Sequence, residues 1–97
     1  MIDAKKDPSG RTTITIKGRF NFACYEEFHR VVGDTVPPAY VVDLRSVDYI
    51  DSAALGMLLL LRERVKEDRG RVTLLTGAGQ PAEVLRLANF GNLFSMA

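Results

Sequence analysis

One cysteine, Cys24, and one histidine, His29, are all that this 97-residue sequence holds of the two residue types that most often ligate zinc. A single thiol excludes an internal disulfide and suits a reducing compartment. The two residues lie five positions apart on an expected helix and do not share a face, so they form neither a metal cluster nor a nucleophile pair with an orienting group. Cys24 reads as a small core residue and His29 as a surface one. A charge imbalance is also missing: 13 Lys and Arg stand against 12 Asp and Glu, which gives no general field to attract nucleic acid or an anionic membrane. The longest apolar run, Ala53 to Leu61, includes Gly56 and is too short to span a bilayer. The start, Met-Ile-Asp-Ala-Lys-Lys, lacks the apolar stretch of a signal peptide. These absences point to a soluble cytoplasmic protein. With 46% hydrophobic and 26% charged residues, residues 1–97 are expected to form one domain with a modest core and no room for a separate catalytic unit.

The pattern that is present alternates strands with helices. Asp7-Pro8-Ser9-Gly10 has the residues of a type I turn and separates Ile2 to Lys6 from Arg11 to Lys17, which suggests a hairpin. Ile14 and Ile16 alternate with Thr13, Thr15 and Lys17 at the period of a half-buried strand, and Gly18 is expected to end it. Asn21 can cap a helix over about Phe22 to Val32, with Gly33 at its end. Pro37-Pro38 leads in extended form to Tyr40–Leu44, an apolar run typical of a central strand covered on both faces. A second helix follows from Ser52 or Ala53 to about Asp68. Arg71 to Thr76 reads as another buried strand, and Pro81 starts a third helix that ends near Asn89 to Gly91. The order β-β-α-β-α-β-α predicts an α/β fold with a mixed, mostly parallel sheet, an N-terminal hairpin at its edge and three main helices.

Three features invite a chemical reading. Gly77-Ala78-Gly79-Gln80-Pro81-Ala82 follows a strand and opens a helix, imitating a dinucleotide-binding turn, but the further strand and the acidic residue about twenty positions on are not found before Ala97. A tight turn before a helix started by Pro81 is the preferred reading, in a loop that could border Ser52. Asp43, Asp48 and Asp51 form a loose acidic group, a weak candidate for a divalent ion, and no general acid/base pair stands out. The third feature is Asp51-Ser52-Ala53-Ala54-Leu55-Gly56, where a strand hands over to a helix. Backbone N–H groups and the helix dipole favour an anion there, so Ser52 is either an ordinary helix N-cap or an acceptor for phosphate.

At 100° per residue, Ala54, Leu58, Leu61 and Val65 share the stripe that packs on the sheet. Ser52, Gly56, Leu59 and Glu63 lie opposite, flanked by Leu60 and Met57, so large apolar residues point outward over the first two turns. Either another helix covers them or a partner does. Gly56, which lets a foreign backbone approach closely, favours the partner.

The same segment resembles the signature of STAS domains of the anti-sigma-factor antagonist family, whose motif is Asp-Ser-Ser-Gly-Leu-Gly-like. Gly18-Arg19-Phe20 resembles the family's Gly-Glu-Leu-like turn, Val42-Asp43-Leu44 its central strand, and Val47-Asp48-Tyr49-Ile50-Asp51-Ser52 the approach to its phosphoserine. By order, Ser52 corresponds to that serine. Ala53 and Ala54 stand where relatives carry a second hydroxyl and a glycine, which makes Ser52 the sole local acceptor. The resemblance implies a non-enzymatic partner switch without a cofactor. Unphosphorylated, it would bind an anti-sigma factor that is also a serine kinase; phosphorylation at Ser52 would release it, and a PP2C-type phosphatase would restore it. The run Asp-Ser-Ala-Ala-Leu-Gly-Met-Leu-Leu-Leu-Leu resembles a subgroup in which that phosphatase is a response-regulator fusion and the process is biofilm formation or motility. Asp51, Gly56, Met57, Leu59, Leu60 and Glu63 are the expected docking residues. Two other readings stay open: a constitutive STAS subunit of a transporter or a stressosome-like scaffold, and a small-molecule domain using the turn at Gly77.

Overall fold

The computed structural model describes residues 1–97 and contains five strands, three α-helices and three short 3-10 turns. They are β1 (Ile2–Lys6), β2 (Thr12–Phe20), α1 (Tyr25–Val32), β3 (Tyr40–Ile50), α2 (Ser52–Arg64), β4 (Val72–Leu75), α3 (Gln80–Leu87) and β5 (Ser95–Met96). The sheet order is β1-β2-β3-β4-β5, with β1 antiparallel to β2 and every later pair parallel. The hairpin follows from its turn: the Asp7 carboxylate accepts hydrogen bonds from the backbone of Ser9 and Arg11, and Gly10 takes φ 89°.

Because each parallel strand lies next to its predecessor in the same direction, right-handed crossovers place all three helices on one side of the sheet. The burial pattern agrees. Ile14, Ile16, Phe20, Tyr40, Val42, Leu44, Val72 and Leu74 are buried with Phe28, Leu58 and Leu85 in one cluster of 20 residues, so there is a single core. Thr13, Thr15, Val41, Asp43, Thr73 and Leu75 alternate with them and remain half-buried. Their register, Lys5 beside Thr13 beside Val41 beside Thr73, draws a polar and partly apolar row across an open face. The expectation that the central strand is covered on both faces is therefore corrected. Val41 mimics a core residue in sequence, while its neighbours are threonines.

Several boundaries also differ. Gly18 does not end β2: at φ 82° it accompanies a register irregularity, and the strand runs on through Arg19 to Phe20. β3 continues six residues beyond Leu44, because Val47 and Ile50 return to the core after polar pairs at Arg45-Ser46 and Asp48-Tyr49. The first helix starts as a 3-10 turn, Phe22–Cys24, with Asn21 accepting from the Ala23 N–H, and becomes α-helical only at Tyr25. α2 stops at Arg64, and the chain then turns through left-handed conformations at Lys66 and Glu67. α3 ends at Leu87. The two-residue β5 carries too little sequence signal to be foreseen, yet its Met96 packs against the core.

Candidate functional site

β3 ends at Ile50 and α2 begins at Ser52, leaving Asp51 alone to make the corner. Asp51 is extended, at φ −120° and ψ −177°, and its Oδ1 accepts from the Ala54 N–H at 3.0 Å as the N-cap of α2. Its Oδ2 accepts from the Phe22 N–H at 3.2 Å, tying this corner to the connection between β2 and α1. The capping role, one of the two readings open for Ser52, thus belongs to its neighbour. Ser52 is the first residue of α2, is exposed, and has its hydroxyl free of any hydrogen bond within the chain. First-turn N–H groups of a helix lack intrahelical partners, so an anion at Ser52 would meet donors and the positive end of the dipole.

The two faces of α2 separate sharply. Ala54, Leu58, Leu61 and Val65 are fully buried, as the 100° periodicity predicts. Met57 joins them at 1% exposure. Its expected place in the docking patch is corrected: at 140° from Ser52 it falls on the shoulder that turns inward, and its flexible thioether fills core space. Gly56, Leu60 and Glu63 are exposed in line with Ser52, and a Cβ placed on Gly56 would meet nothing within 4 Å. Leu60 is 37% exposed, whereas Leu59 is half-buried against the core. Asp51 is half-buried and adds charge to this surface, but both of its oxygens are committed to backbone N–H groups.

Phe22 was absent from the sequence-derived set. It is 74% exposed, and its backbone N–H is held by Asp51, the residue immediately before Ser52. The clue available in sequence was a phenylalanine immediately after a capping asparagine, off the apolar period of α1. Tyr49 and Arg19, paired in register at the ends of β3 and β2, add a cation–π contact of 4.5 Å and leave Tyr49 38% exposed. Farther along, Phe28, His29, Val32, Leu60, Glu63 and Arg64 line a groove of about 300 Å³ between α1 and α2. Arg64 closes its end by donating to the Gly33 carbonyl and, at 3.2 Å, to the Tyr40 hydroxyl. Burial raises the Tyr40 phenol above its usual value, against the opposing pull of the Arg64 charge.

The other chemical candidates do not converge. Asp43 is held below the usual carboxylate range by hydrogen bonds from Arg45, at 3.0 and 2.9 Å, on the open side of the sheet. Asp43, Asp48 and Asp51 are not brought together, and no group of three His, Cys, Asp or Glu side chains is placed to hold a metal ion. Cys24 is half-buried with its thiol 3.3 Å from the Arg19 carbonyl, while His29 is exposed and stacked on Tyr25. The Gly77 turn itself lies against Arg45, where a Cβ on Gly77 would come within 3.3 Å of the Arg45 Cα. Gln80 next to the turn bonds both backbone groups of Ile50, at 2.8 and 2.9 Å. No helix is long and apolar enough to cross a membrane.

A family model described as "Mlab, STAS domain" matches residues 4–95, nearly the whole chain. The chain belongs to the STAS domain family. A STAS-domain containing protein of Pseudomonas aeruginosa (strain UCBPP-PA14) is 38% identical over 87 residues, which is 88% of this chain and 86% of that protein. Among solved structures, a putative anti-sigma factor antagonist from Thermotoga maritima superposes with a TM-score of 0.83 at 18% identity, over 98% of this chain and 84% of that one. The Bacillus cell fate determinant SpoIIAA in its phosphorylated form gives 0.76 at 14% identity, over 100% and 91% respectively. At these identities the two structures establish a common STAS fold.

Proposed function

We propose that this STAS domain is an anti-sigma factor antagonist that works as a phosphorylation-controlled partner switch. Unmodified, it docks through the outer stripe of α2 onto an anti-sigma factor with serine kinase activity. Phosphorylation of Ser52 releases it, and a PP2C-type phosphatase, in one form a response-regulator fusion, returns it to the binding state. Its role is that of a kinase substrate. One observation carries this reading: Asp51 does the capping, so Ser52 stands exposed with a free hydroxyl at the head of a stripe containing Gly56 and Leu60.

The physical logic is a change of surface without a change of fold. A phosphate adds roughly two negative charges, which the N-terminus of α2 tolerates. The same charge, beside Asp48 and Asp51, would have to be desolvated under a docked partner, at a cost of about 2 kcal/mol or more. Incubation with a serine kinase of the anti-sigma type and ATP, followed by intact-mass measurement, should add one phosphate to the wild type and none to Ser52→Ala. Phosphate found at another residue, or none on the wild type, would contradict the proposal.

A further inference from the structure

Gln80 does for β3 what a neighbouring strand would do. β3 is paired with β2 to its last residue, Phe20 beside Ile50, but with β4 only over Tyr40–Asp43. From Leu44 onward its second edge has no strand beside it. At Ile50 that edge is closed by a side chain: Gln80 Oε1 accepts from the Ile50 N–H at 2.8 Å, and Nε2 donates to the Ile50 carbonyl at 2.9 Å. A carboxamide presents an acceptor and a donor on one carbon of a planar group, the spacing that meets the N–H and the carbonyl of a single strand residue.

The connection between β4 and α3 is shaped to deliver that group. Gly77 has φ +65°, and a Cβ there would come within 3.3 Å of the Arg45 Cα; Gly79 has φ +87°. Both are conformations that L side chains rarely adopt, and the first also needs close backbone approach. The Gly-Ala-Gly-Gln turn, which in sequence imitates a dinucleotide loop, is the arm of a clamp. It grips the residue two places before Ser52, while Asp51 ties the opposite side of the corner to Phe22.

We propose that Gln80 is a positioning residue for Ser52: by fixing Ile50 it sets the exit of β3 and hence the angle at which α2 presents the hydroxyl. The functional consequence rests on Ser52 being the phosphoacceptor; the clamp does not.

Amide hydrogen exchange by NMR on the intact chain tests it, with Gln80→Ala and Gln80→Glu beside the wild type. Protection of the Ile50 amide should fall about tenfold in Gln80→Ala at neutral pH and less in Gln80→Glu, whose carboxylate still accepts from the Ile50 N–H but repels its carbonyl, while Ile14 and Val42 keep theirs. In Gln80→Glu it should recover below about pH 4, because the neutral carboxylic acid regains a donor beside its acceptor. Gln80→Ala should show no recovery. With the kinase that modifies Ser52, both variants should lower kcat/KM about tenfold, since the helix that carries both the hydroxyl and the docking stripe is presented at a changed angle. Unchanged Ile50 protection, uniform loss across the core amides, or transfer kinetics equal to wild type would each overturn the proposal. Should the wild type accept no phosphate, the reading of Ser52 falls, and the exchange data alone still decide whether the clamp exists.

Discussion

The inner and outer faces of α2 are built from similar residues and have opposite consequences. Inside, Leu58 and Leu61 have no solvent exposure and pack with β-sheet residues in the single core. Outside, Leu60 is 37% exposed, on the same stripe as Gly56, where an added Cβ would meet nothing within 4 Å. The inner face holds the domain together; the outer one contributes little to folding and is available to a partner. A leucine's role on this helix is thus decided by angle, and stability and binding should be separable by mutation.

The largest effect is expected where that separation is tested head on. Leu58→Ala should cost about 2–5 kcal/mol by denaturant unfolding, because it opens a cavity in a small core. Leu60→Ala should stay within about 0.5 kcal/mol and instead weaken partner binding. Similar stability losses for the two would break the comparison. A finer test uses Gly56, where the two faces pull in opposite directions. Gly56→Ala should raise stability by about 1 kcal/mol, since glycine is a poor helix former and the new methyl meets open space. Partner affinity should nevertheless fall.

The smallest effect belongs to the open side of the sheet. Arg45 holds the Asp43 carboxyl below its ordinary range, chiefly through side-chain hydrogen bonds. A carboxyl whose folded pKa is depressed adds stability that is present above the unfolded value, about 3.9, and is lost as pH falls through the folded value. Arg45 is 63% exposed, so solvent screens the pair. Asp43→Asn should therefore cost less than about 0.5 kcal/mol at pH 7 and flatten the acid limb of the stability profile. A loss comparable to Leu58→Ala would mean that the open face is structural after all.

Much of this was legible in the chain. The turn at Asp7–Gly10, the three parallel strands, the inner stripe of α2 and the position of Ser52 all follow from period and punctuation. What escaped has physical reasons. Val41 and Leu75 look like core residues although no helix lies over them, because β-branched and apolar side chains suit any pleated surface. The second half of β3 was hidden by two polar pairs. Met57 was misplaced because it lies at the border of two faces, where burial depends on packing rather than angle. Asp51 and Gln80 act through bonds to residues 29 and 30 positions away, and such pairings have no local signature.

The central claim is that charge on one exposed hydroxyl of α2 switches docking without refolding the domain. Its most direct test is calorimetric titration of the anti-sigma partner with wild type, Ser52→Ala and Ser52→Asp, alongside far-UV circular dichroism. Ser52→Ala should bind within about twofold of the unmodified wild type and Ser52→Asp at least about tenfold more weakly, with superimposable spectra. Equal affinity for the two variants would contradict the account, as would a loss of helix in Ser52→Asp.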